Sequence, residues 1–263
     1  MKPRVLIKIG GRAFEQAAAF AELAQDILTC KDKDIALVHG GGVQISDALK
    51  KANRESVFID GIRVTWKKDI KIVDKVLSRQ VNKAIAAHLK KQGVPVKRLS
   101  GKSGQLITAE RMIRNGQDIG YVGRVAKVDP AVLVSAWARN RTPVVSPISA
   151  DANGDTYNIN ADTAAGAIAG AVGARDIVYF SDVAGVIQDE QVINELSAEQ
   201  VQTLIADGVI HGGMIAKMES AFDALGYGAG RVHITRWQGT GTLKKLLNNE
   251  LELKTTIYGN SHG

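Results

Sequence analysis

The stretch Ile35 to Gly42, which reads IALVHGGG, decides the fold, because an apolar run passes directly into three glycines. The run from Ile35 to His39 is typical of a buried strand, and the segment from Val43 to about Ala52 has the pattern of a helix. A strand, a glycine turn and a helix form the repeating unit of parallel sheets. The stretch therefore predicts an α/β protein.

The same unit occurs near the start of the chain. Arg4 to Ile9 predicts a buried strand, Gly10 and Gly11 predict a turn, and Phe14 to Cys30 predicts an alanine-rich helix. Further apolar runs predict strands at Val94–Leu99, Thr142–Pro147, Ile177–Phe180 and Val232–Ile234. Helical stretches separate these strands, and this alternation predicts an open parallel sheet covered by helices on both faces.

Two shorter features interrupt the alternation. The residues YVGRVAKV, between Gly120 and Val128, predict a short hairpin, and Asp151–Gly154 predicts a turn before another extended piece. No linker or repeat marks a domain boundary. We therefore expect one domain over residues 1–263, and a functional division near Asp176 stays open.

Composition restricts the class of protein. The chain has 263 residues, of which 45% are hydrophobic and 23% charged, as in ordinary globular proteins. No run reaches the roughly 20 apolar residues of a membrane helix, and there is no signal peptide pattern. The lone Cys30 cannot form an internal disulfide, which fits a reducing compartment. We expect a cytoplasmic protein with no membrane partner.

A net charge of +7 is compatible with a protein that binds nucleic acid. Lys and Arg are spread along the chain without a basic run, so we expect no nucleic-acid partner. A positive field also attracts small anionic ligands into a cleft. The charge therefore favours a small anionic substrate.

The glycines Gly40–Gly42 would let backbone N–H groups at the start of a helix approach an anion. A tight turn without a ligand and the oxyanion loop of esterases are the other interpretations. An esterase needs a Gly-x-Ser-x-Gly motif, and Gly101–Gly104 is one residue short of it. The hydrolase is excluded, and the turn without a ligand stays open.

Three charged residues have unusual positions. Lys8 ends a buried strand, where ligands of open α/β sheets bind, so a phosphate contact explains it better than a lysine that only reaches solvent. Asp162 lies in the first turn of a helix, two residues after the capping residue Asn160. A functional role and simple compensation of the helix dipole explain Asp162 equally well. Lys217 lies near the start of a helix, where a lysine opposes the dipole unless an anion binds between them.

Six segments in this order resemble the amino-acid kinase family: IKIGG (7–11), VHGGG (38–42), GIRVT (61–65), NINAD (158–162), SDVAGV (181–186) and GVIHGGMIAK (208–217). The resemblance extends from about Arg4 to Trp237. It implies a three-layer α/β/α sandwich around a mainly parallel open sheet. It also implies an N-terminal lobe, residues 1–175, that binds the acyl substrate, and a C-terminal lobe, residues 176–263, that binds the nucleotide.

The resemblance further implies ATP-dependent phosphorylation of the side-chain carboxylate of N-acetyl-L-glutamate, a step of arginine biosynthesis. Lys8 and Lys217 would stabilise the transferring phosphoryl group, and Asp162 would hold both lysines in place. The acidic substrate would contact Gly41, Gly42, Arg63, Asn158 and Asn160, with Arg63 on its α-carboxylate. The nucleotide would contact Gly10, Gly11, Asp182, Val183, Ala184, Gly185, Val186, Ile187, Val209, Ile210, His211 and Met214.

The chemistry agrees with that set of residues. A carboxyl group with a pKa of about 4.3 is already ionised at neutral pH, so the acceptor needs no general base. What remains is to neutralise charge on the moving phosphoryl group with lysines, backbone N–H groups and Mg²⁺. The sequence shows no dedicated carboxylate cluster, so we expect no metal site in the protein and Mg²⁺ carried by ATP.

Two alternatives stay open. Kinases of lysine-type biosynthesis phosphorylate a carrier-linked or N-acetylated aminoadipate or glutamate, and a sensor on the same fold would be non-catalytic. The presence of Lys8, Asp162 and Lys217 favours catalysis. Hexameric relatives that arginine inhibits carry an extra helix before the first strand, which here begins at about Arg4. We therefore expect a homodimer that is insensitive to arginine.

Two segments depart from the family pattern. Leu253–Ile257 has lysine and threonine where the family has a Gly-Thr pair, and Gly101–Gly104 lacks a common acidic residue. These departures concern local loops and leave the expected reaction unchanged.

Overall fold

The computed structural model describes residues 1–10, 14 and 16–258, with positions 213 and 216 described for their backbone alone. Its strands are β1 (Arg4–Ile9), β2 (Asp34–His39), β3 (Phe58–Ile59), β4 (Ile62–Arg63), β5 (Val96–Ser100), β6 (Ile107–Arg114), β7 (Gln117–Val128), β8 (Thr142–Ser146), β9 (Ile148–Ala150), β10 (Thr156–Ile159), β11 (Asp176–Ser181), β12 (Ile187–Gln188), β13 (Gln191–Val192), β14 (Glu195–Leu196), β15 (Arg231–Arg236) and β16 (Thr255–Tyr258).

Its α-helices are α1 (Ala17–Thr29), α2 (Gly42–Lys51), α3 (Ile70–Asp74), α4 (Asn82–Lys91), α5 (Ala131–Trp137), α6 (Ala161–Ala171), α7 (Ala198–Ala206), α8 (Gly213–Gly226) and α9 (Thr242–Leu247). A π-helical turn, Lys75–Val81, joins α3 to α4. Across the described ranges, no helix combines the length and the apolar character that crossing a membrane requires.

Eight strands form the central sheet in the order β14-β16-β15-β11-β1-β2-β8-β5. Neighbouring strands are parallel throughout except β15 and β16, which are antiparallel. The predicted mainly parallel sheet is therefore confirmed. The apolar runs chosen from the sequence all become strands of this sheet, with small shifts at their ends.

The side chains of β1 point alternately into two core clusters, one on each face of the central sheet. Leu6 packs into one core cluster, whereas Val5, Ile7 and Ile9 pack into another, because successive side chains of a strand point to opposite faces. The first cluster contains buried residues of α6 and α8, and the second contains buried residues of α1, α4 and α9. Helices thus cover both faces of the sheet, which confirms the three-layer sandwich.

A small closed barrel of β6, β7, β9 and β10 corrects one prediction. The hairpin predicted between Gly120 and Val128 is wrong, because these residues belong to the single strand β7. The turn lies earlier, at Asn115 and Gly116, whose φ values of 50° and 74° suit a tight hairpin. Gly120 serves a close approach instead, since a Cβ there would clash with Thr65 O.

The predicted turn at Asp151–Gly154 is confirmed, because Gly154 N donates a hydrogen bond to Asp151 O at 3.1 Å. It leads into β10, and β10 is followed directly by α6. The barrel therefore delivers the chain to the N-terminal end of α6.

Candidate active site

Three charged side chains meet at the carboxyl end of the central strand β1. Lys8 Nζ lies 2.8 Å from Asp162 Oδ1, and Lys217 Nζ lies 3.6 Å from Asp162 Oδ2. Each side chain keeps only 13–16% of its surface exposed. The fold thus assembles residues from β1, α6 and α8 into one cluster, which we name the charged centre. Their catalytic role stays a prediction.

Electrostatics keep the carboxyl of the charged centre ionised. Burial is the largest influence and by itself would raise the pKa of Asp162, but Lys8 and Lys217 together hold that pKa below its ordinary value. Burial lowers the pKa of Lys217, and the carboxylates of Asp162 and Asp182 oppose this shift. Two ammonium groups beside one carboxylate leave an excess of positive charge, which suits an anionic ligand.

The N-cap of α6 fixes the backbone position from which Asp162 reaches the two lysines. Asn160 is the N-cap, and its Oδ1 accepts hydrogen bonds from Asp162 N at 2.8 Å and Thr163 N at 3.4 Å. Capping therefore accounts for Asn160 Oδ1. Asn158, two residues earlier on β10, donates from Nδ2 to Thr65 Oγ1 at 3.3 Å. Substrate contacts by Asn158 and Asn160 stay predictions.

Arg63 lies on β4 and reaches the start of α2. Its guanidinium donates to Gly42 O at 2.8 Å, Ser46 Oγ at 2.9 Å and Ser56 Oγ at 2.5 Å. The same group lies 4.6 Å from the centre of the Phe58 ring. Burial lowers the pKa of Arg63, but a guanidinium stays charged in proteins. The structure thus brings two predicted substrate residues, Arg63 and Gly42, into direct contact.

A cleft of about 530 Å³ brings several other predicted residues together. Gly10 after β1, Gly41 and Gly42 after β2, and Asp182 after β11 all line it. These positions follow the carboxyl ends of three adjacent strands, where open α/β sheets bind ligands. Gly11, predicted to contact the nucleotide, lies outside the described residues.

Residues 182–187 form the segment that we name the nucleotide loop, after its predicted role. It leads from β11 into β12. Ala184 and Val186 are buried, Val183 is half-buried, and Ile187 is exposed. The side chains of Ala184 and Val186 therefore anchor the loop, while Asp182 faces the cleft.

The second predicted nucleotide segment connects α7 to α8. Ile210 is buried in the core, so a ligand contact at this position would have to come from its backbone. Val209 and Met214 pack against the same core, whereas His211 is exposed. The segment continues into α8, which carries Lys217. The segment is therefore close along the chain to Lys217 of the charged centre. Its role as a nucleotide contact stays a prediction.

We name residues Gly40–Gly42 the glycine loop. Sequence reasoning missed a network of buried side chains that contacts this loop through His39. His39 Nδ1 lies 2.8 Å from Gly40 O, and its Nε2 lies 3.1 Å from Asn82 Nδ2. An amide nitrogen only donates, so Nε2 accepts and Nδ1–H donates to Gly40 O. Burial lowers the pKa of His39 to about 4, which agrees with this neutral form.

Asn82 connects this network to the sheet. Its Nδ2 also donates to Val144 O at 2.9 Å, and its Oδ1 accepts from Arg98 Nε at 2.9 Å. His39 was visible within the VHGGG segment, but its partner lies at the start of α4 in a stretch without any motif. Only the three-dimensional contact identifies Asn82.

Comparison with known proteins agrees with this geometry. A sequence profile of the amino acid kinase family matches residues 3–236. The acetylglutamate kinase of Geobacillus thermodenitrificans is 39% identical over 255 residues, which cover 93% of this chain and 98% of that protein. The acetylglutamate kinase of Gluconobacter oxydans is 40% identical over 238 residues, covering 86% of this chain and 81% of that protein.

Solved structures give the same picture of the fold. The protein smu.665 from Streptococcus mutans has a TM-score of 0.82 at 29% identity, with 98% of this chain and 99% of that chain covered. The N-acetylglutamate synthase of Neisseria gonorrhoeae, solved with coenzyme A and N-acetyl-glutamate, has a TM-score of 0.84 at 23% identity. The match covers 97% of this chain and 59% of that one, and it concerns the fold alone.

Proposed function

Because this chain belongs to the amino acid kinase family, we propose that it transfers the terminal phosphoryl group of ATP to the side-chain carboxylate of N-acetyl-L-glutamate. The product is an acyl phosphate, as in the acetylglutamate step of arginine biosynthesis. The observation that carries the proposal is the charged centre, where Lys8 and Lys217 flank Asp162 at 2.8 Å and 3.6 Å. A sensor that had lost catalysis would have no need of this pair of lysines.

The reaction requires little covalent help from the protein. A carboxylate oxygen of the acceptor attacks the γ-phosphorus, the bond to the β,γ-bridging oxygen breaks, and ADP leaves. The acceptor is ionised at neutral pH, so no general base takes part. Lys8 and Lys217 neutralise negative charge on the phosphoryl oxygens, and Asp162 keeps both ammonium groups in position.

We assign the cleft as the place where the two ligands meet, with the phosphates of ATP at the Gly10 turn and the acidic substrate at Gly41 and Gly42. Its glycine turns offer backbone N–H groups to anionic oxygens, and the charged centre lies next to Gly10 in sequence and space. Within the described part of the chain, no three His, Cys, Asp or Glu side chains are grouped so that they could hold a metal. Mg²⁺ would therefore enter on the phosphates of ATP, where it supplies charge neutralisation.

We assign the selection of the acidic substrate to Arg63. Its guanidinium is buried, stays charged and is fixed by Gly42, Ser46 and Ser56, so it is already oriented before the substrate binds. A planar guanidinium pairs with a carboxylate through two parallel hydrogen bonds. Both N–H groups of Nη2 are donated to Gly42 O and Ser46 Oγ, so Arg63 would pair in this way with the α-carboxylate by exchanging Ser46 Oγ for a carboxylate oxygen. The side-chain carboxylate would then be directed at the phosphoryl group.

The experiment is an assay of purified protein with Mg²⁺-ATP and N-acetyl-L-glutamate, in which hydroxylamine traps the acyl phosphate. We expect turnover with N-acetyl-L-glutamate and much less with N-acetyl-L-aspartate, whose shorter chain leaves its carboxylate out of line with the γ-phosphate. Glutamate and N-acetyl-aminoadipate complete the substrate set. Turnover of a carrier-linked acceptor without turnover of free N-acetyl-L-glutamate would contradict the proposal.

We further propose that the protein works in the cytoplasm as a homodimer that arginine does not inhibit. Along the described chain, strand β5 pairs only with β8, so its outer edge is open to a second copy. Light scattering with and without arginine tests this, together with the assay. A hexamer, or inhibition by millimolar arginine, would contradict it.

A further inference from the structure

The C-terminal segment that departs from the family pattern contains Thr255, a residue with no assigned role. Thr255 begins β16 and is fully buried, with 0% of its surface exposed. Strand β16 lies between β14 and β15 in the central sheet. Its position in the fold brings Thr255 against the nucleotide loop.

The hydroxyl of Thr255 makes two hydrogen bonds to the hairpin that follows this loop. Oγ1 accepts from Val186 N at 2.8 Å and donates to Ile193 O at 2.7 Å. Val186 directly precedes β12, and Ile193 directly follows β13. Ile193 N also donates to Val186 O at 2.9 Å, which closes the base of the hairpin. One hydroxyl therefore fastens both ends of the β12–β13 hairpin to β16.

Close packing supports the same conclusion. A Cβ added at Gly185 would clash with Thr255 Oγ1 and would lie 2.8 Å from Val192 Cγ1. The nucleotide loop and β16 are thus in contact at a position where only glycine fits. The loop cannot shift toward β16, and the two hydrogen bonds keep it from moving away.

Thr255 is linked to the candidate active site through Asp182, the first residue of the nucleotide loop. Asp182 precedes Gly185 by three residues, lines the cleft and interacts electrostatically with Lys217. A change in the conformation of the loop would therefore alter the cleft and the surroundings of one catalytic lysine. The glycine loop and Arg63 belong to other parts of the fold and have no contact with Thr255 among the hydrogen bonds of the described residues.

We propose that Thr255 is a positioning residue for the nucleotide, which holds the nucleotide loop in its binding conformation and has no effect on the affinity for the acyl substrate. The inference rests on the proposed function, because it takes this loop as part of the ATP site. A merely structural threonine would lower stability and leave the KM for ATP unchanged.

The test compares Thr255→Val with Thr256→Val. Valine keeps the branched shape and removes the hydroxyl, and Thr256 is the neighbouring threonine, equally buried, whose Oγ1 pairs with His233 Nδ1 at 3.0 Å instead of the loop. Thr255→Val leaves Val186 N and Ile193 O without their partner, so we expect the KM for ATP to rise about tenfold. The KM for N-acetyl-L-glutamate should change less than about twofold, and Thr256→Val should leave both near the wild-type values.

A second pair of variants covers the case in which Thr255→Val does not fold. Thr255→Ser keeps the hydroxyl and should retain an ATP KM close to the wild-type value, whereas Thr255→Ala lacks it and should show the increase. Equal ATP KM values in these two variants, or an equal rise in both KM values, would overturn the inference.

Direct binding of Mg²⁺-ATP, measured by calorimetry, separates this inference from the proposed function. A wild-type protein that binds Mg²⁺-ATP but phosphorylates none of the acceptors refutes the proposed reaction and leaves Thr255 testable. Wild-type turnover with unchanged ATP affinity in Thr255→Val refutes the inference alone. Weaker ATP binding in Thr255→Val, restored in Thr255→Ser, supports it in either case.

Discussion

The glycine loop and the nucleotide loop lie on the two sides of the charged centre, and the protein holds them in different ways. The glycine loop rests on a buried network in which His39 makes two side-chain hydrogen bonds and Asn82 bonds to His39, Val144 and Arg98. The nucleotide loop is held by the buried side chains of Ala184 and Val186, and among the described residues its hydrogen bond to β16 is the one that Val186 N donates to the hydroxyl of Thr255. Each member of a network depends on the others, whereas a single hydroxyl can be removed alone.

This difference teaches where the site is rigid and where it can be adjusted. Removing one member of the buried network leaves other buried polar groups without partners, and the whole protein should lose stability. Removing the hydroxyl of Thr255 leaves two backbone groups, Val186 N and Ile193 O, without this partner, and beyond that cost in stability it should change the affinity for one ligand. The substrate side of the site is therefore tied more strongly to folding than the nucleotide side.

The largest effect should come from the charged centre between the two loops. Lys217→Ala and Lys8→Ala each remove a charge that matters most when negative charge develops on the phosphoryl group, so kcat should fall by about 10²–10³. Both KM values should change far less, because neither loop is disturbed. Steady-state kinetics measure this, with Lys91→Ala at an exposed position as the control. Near-wild-type turnover in either variant would reject the assignment.

A substitution in the buried network should affect stability next. Asn82→Ala leaves His39 Nε2 and Val144 O without their donor, so we expect a loss of about 3 kcal/mol in the free energy of unfolding. Urea denaturation measures it, and Lys83→Ala, exposed on the same helix, is the matched control. A loss as small as in the control would show that the glycine loop does not depend on this network.

The pH dependence of stability sharpens the same contrast. The folded pKa of His39 is about 4 and its ordinary value is 6.5, so the unfolded chain takes up this proton first as the pH falls. The contribution of the neutral His39 to the free energy of unfolding is therefore fully present above pH 6.5 and is lost as the pH falls toward 4. Between pH 7.5 and pH 5 the free energy of unfolding should decrease by about 2 kcal/mol. Urea denaturation at these two pH values should show a smaller decrease in His39→Gln. Equal decreases in both proteins would contradict the neutral, buried histidine.

The smallest effect should come from Arg63→Lys, which keeps the charge and loses the bidentate geometry. We expect the KM for the acidic substrate to rise about tenfold and the KM for ATP to stay nearly constant. Arg63→Lys and Thr255→Val would then raise opposite KM values, which separates the two sides of the site. If ATP affinity fell equally in Arg63→Lys, Arg63 would belong to the phosphate site.

The sequence predicts six of the eight strands of the central sheet because these are mainly apolar runs, and three of them, β1, β2 and β5, end directly before a glycine. Such runs need no knowledge of their partners, and Arg4–Ile9 becomes β1 with the predicted bounds. The hairpin at Gly120–Val128 failed because two glycines in a strand resemble a turn, whereas Gly120 serves a close approach to Thr65. The Asn-Gly pair at 115–116 was the better signal for a turn.

The candidate site divides in a similar way. Lys8 and Lys217 could be selected because burial in a strand or the dipole of a helix makes a positive charge costly at their positions. Asp162 gave no such signal, because an acidic residue is favourable at the start of a helix, and its role came from the family resemblance. Asn82 and Thr255 could not be selected, because an asparagine in a helix and a threonine in a strand are unremarkable until their partners are known. Those partners are distant in sequence: Val144 O for Asn82 and Val186 N for Thr255.

The position of β16 in the chain has a consequence for synthesis. The nucleotide loop leaves the ribosome well before Thr255, by an interval on the order of 10 seconds at typical translation rates. Once Lys217 has been translated, a nascent chain contains Lys8, Asp162 and Lys217 without the hydroxyl that fastens the loop. We therefore expect nascent chains arrested before Thr255 to bind ATP poorly, so that the nucleotide site matures only when the end of the sheet has been translated.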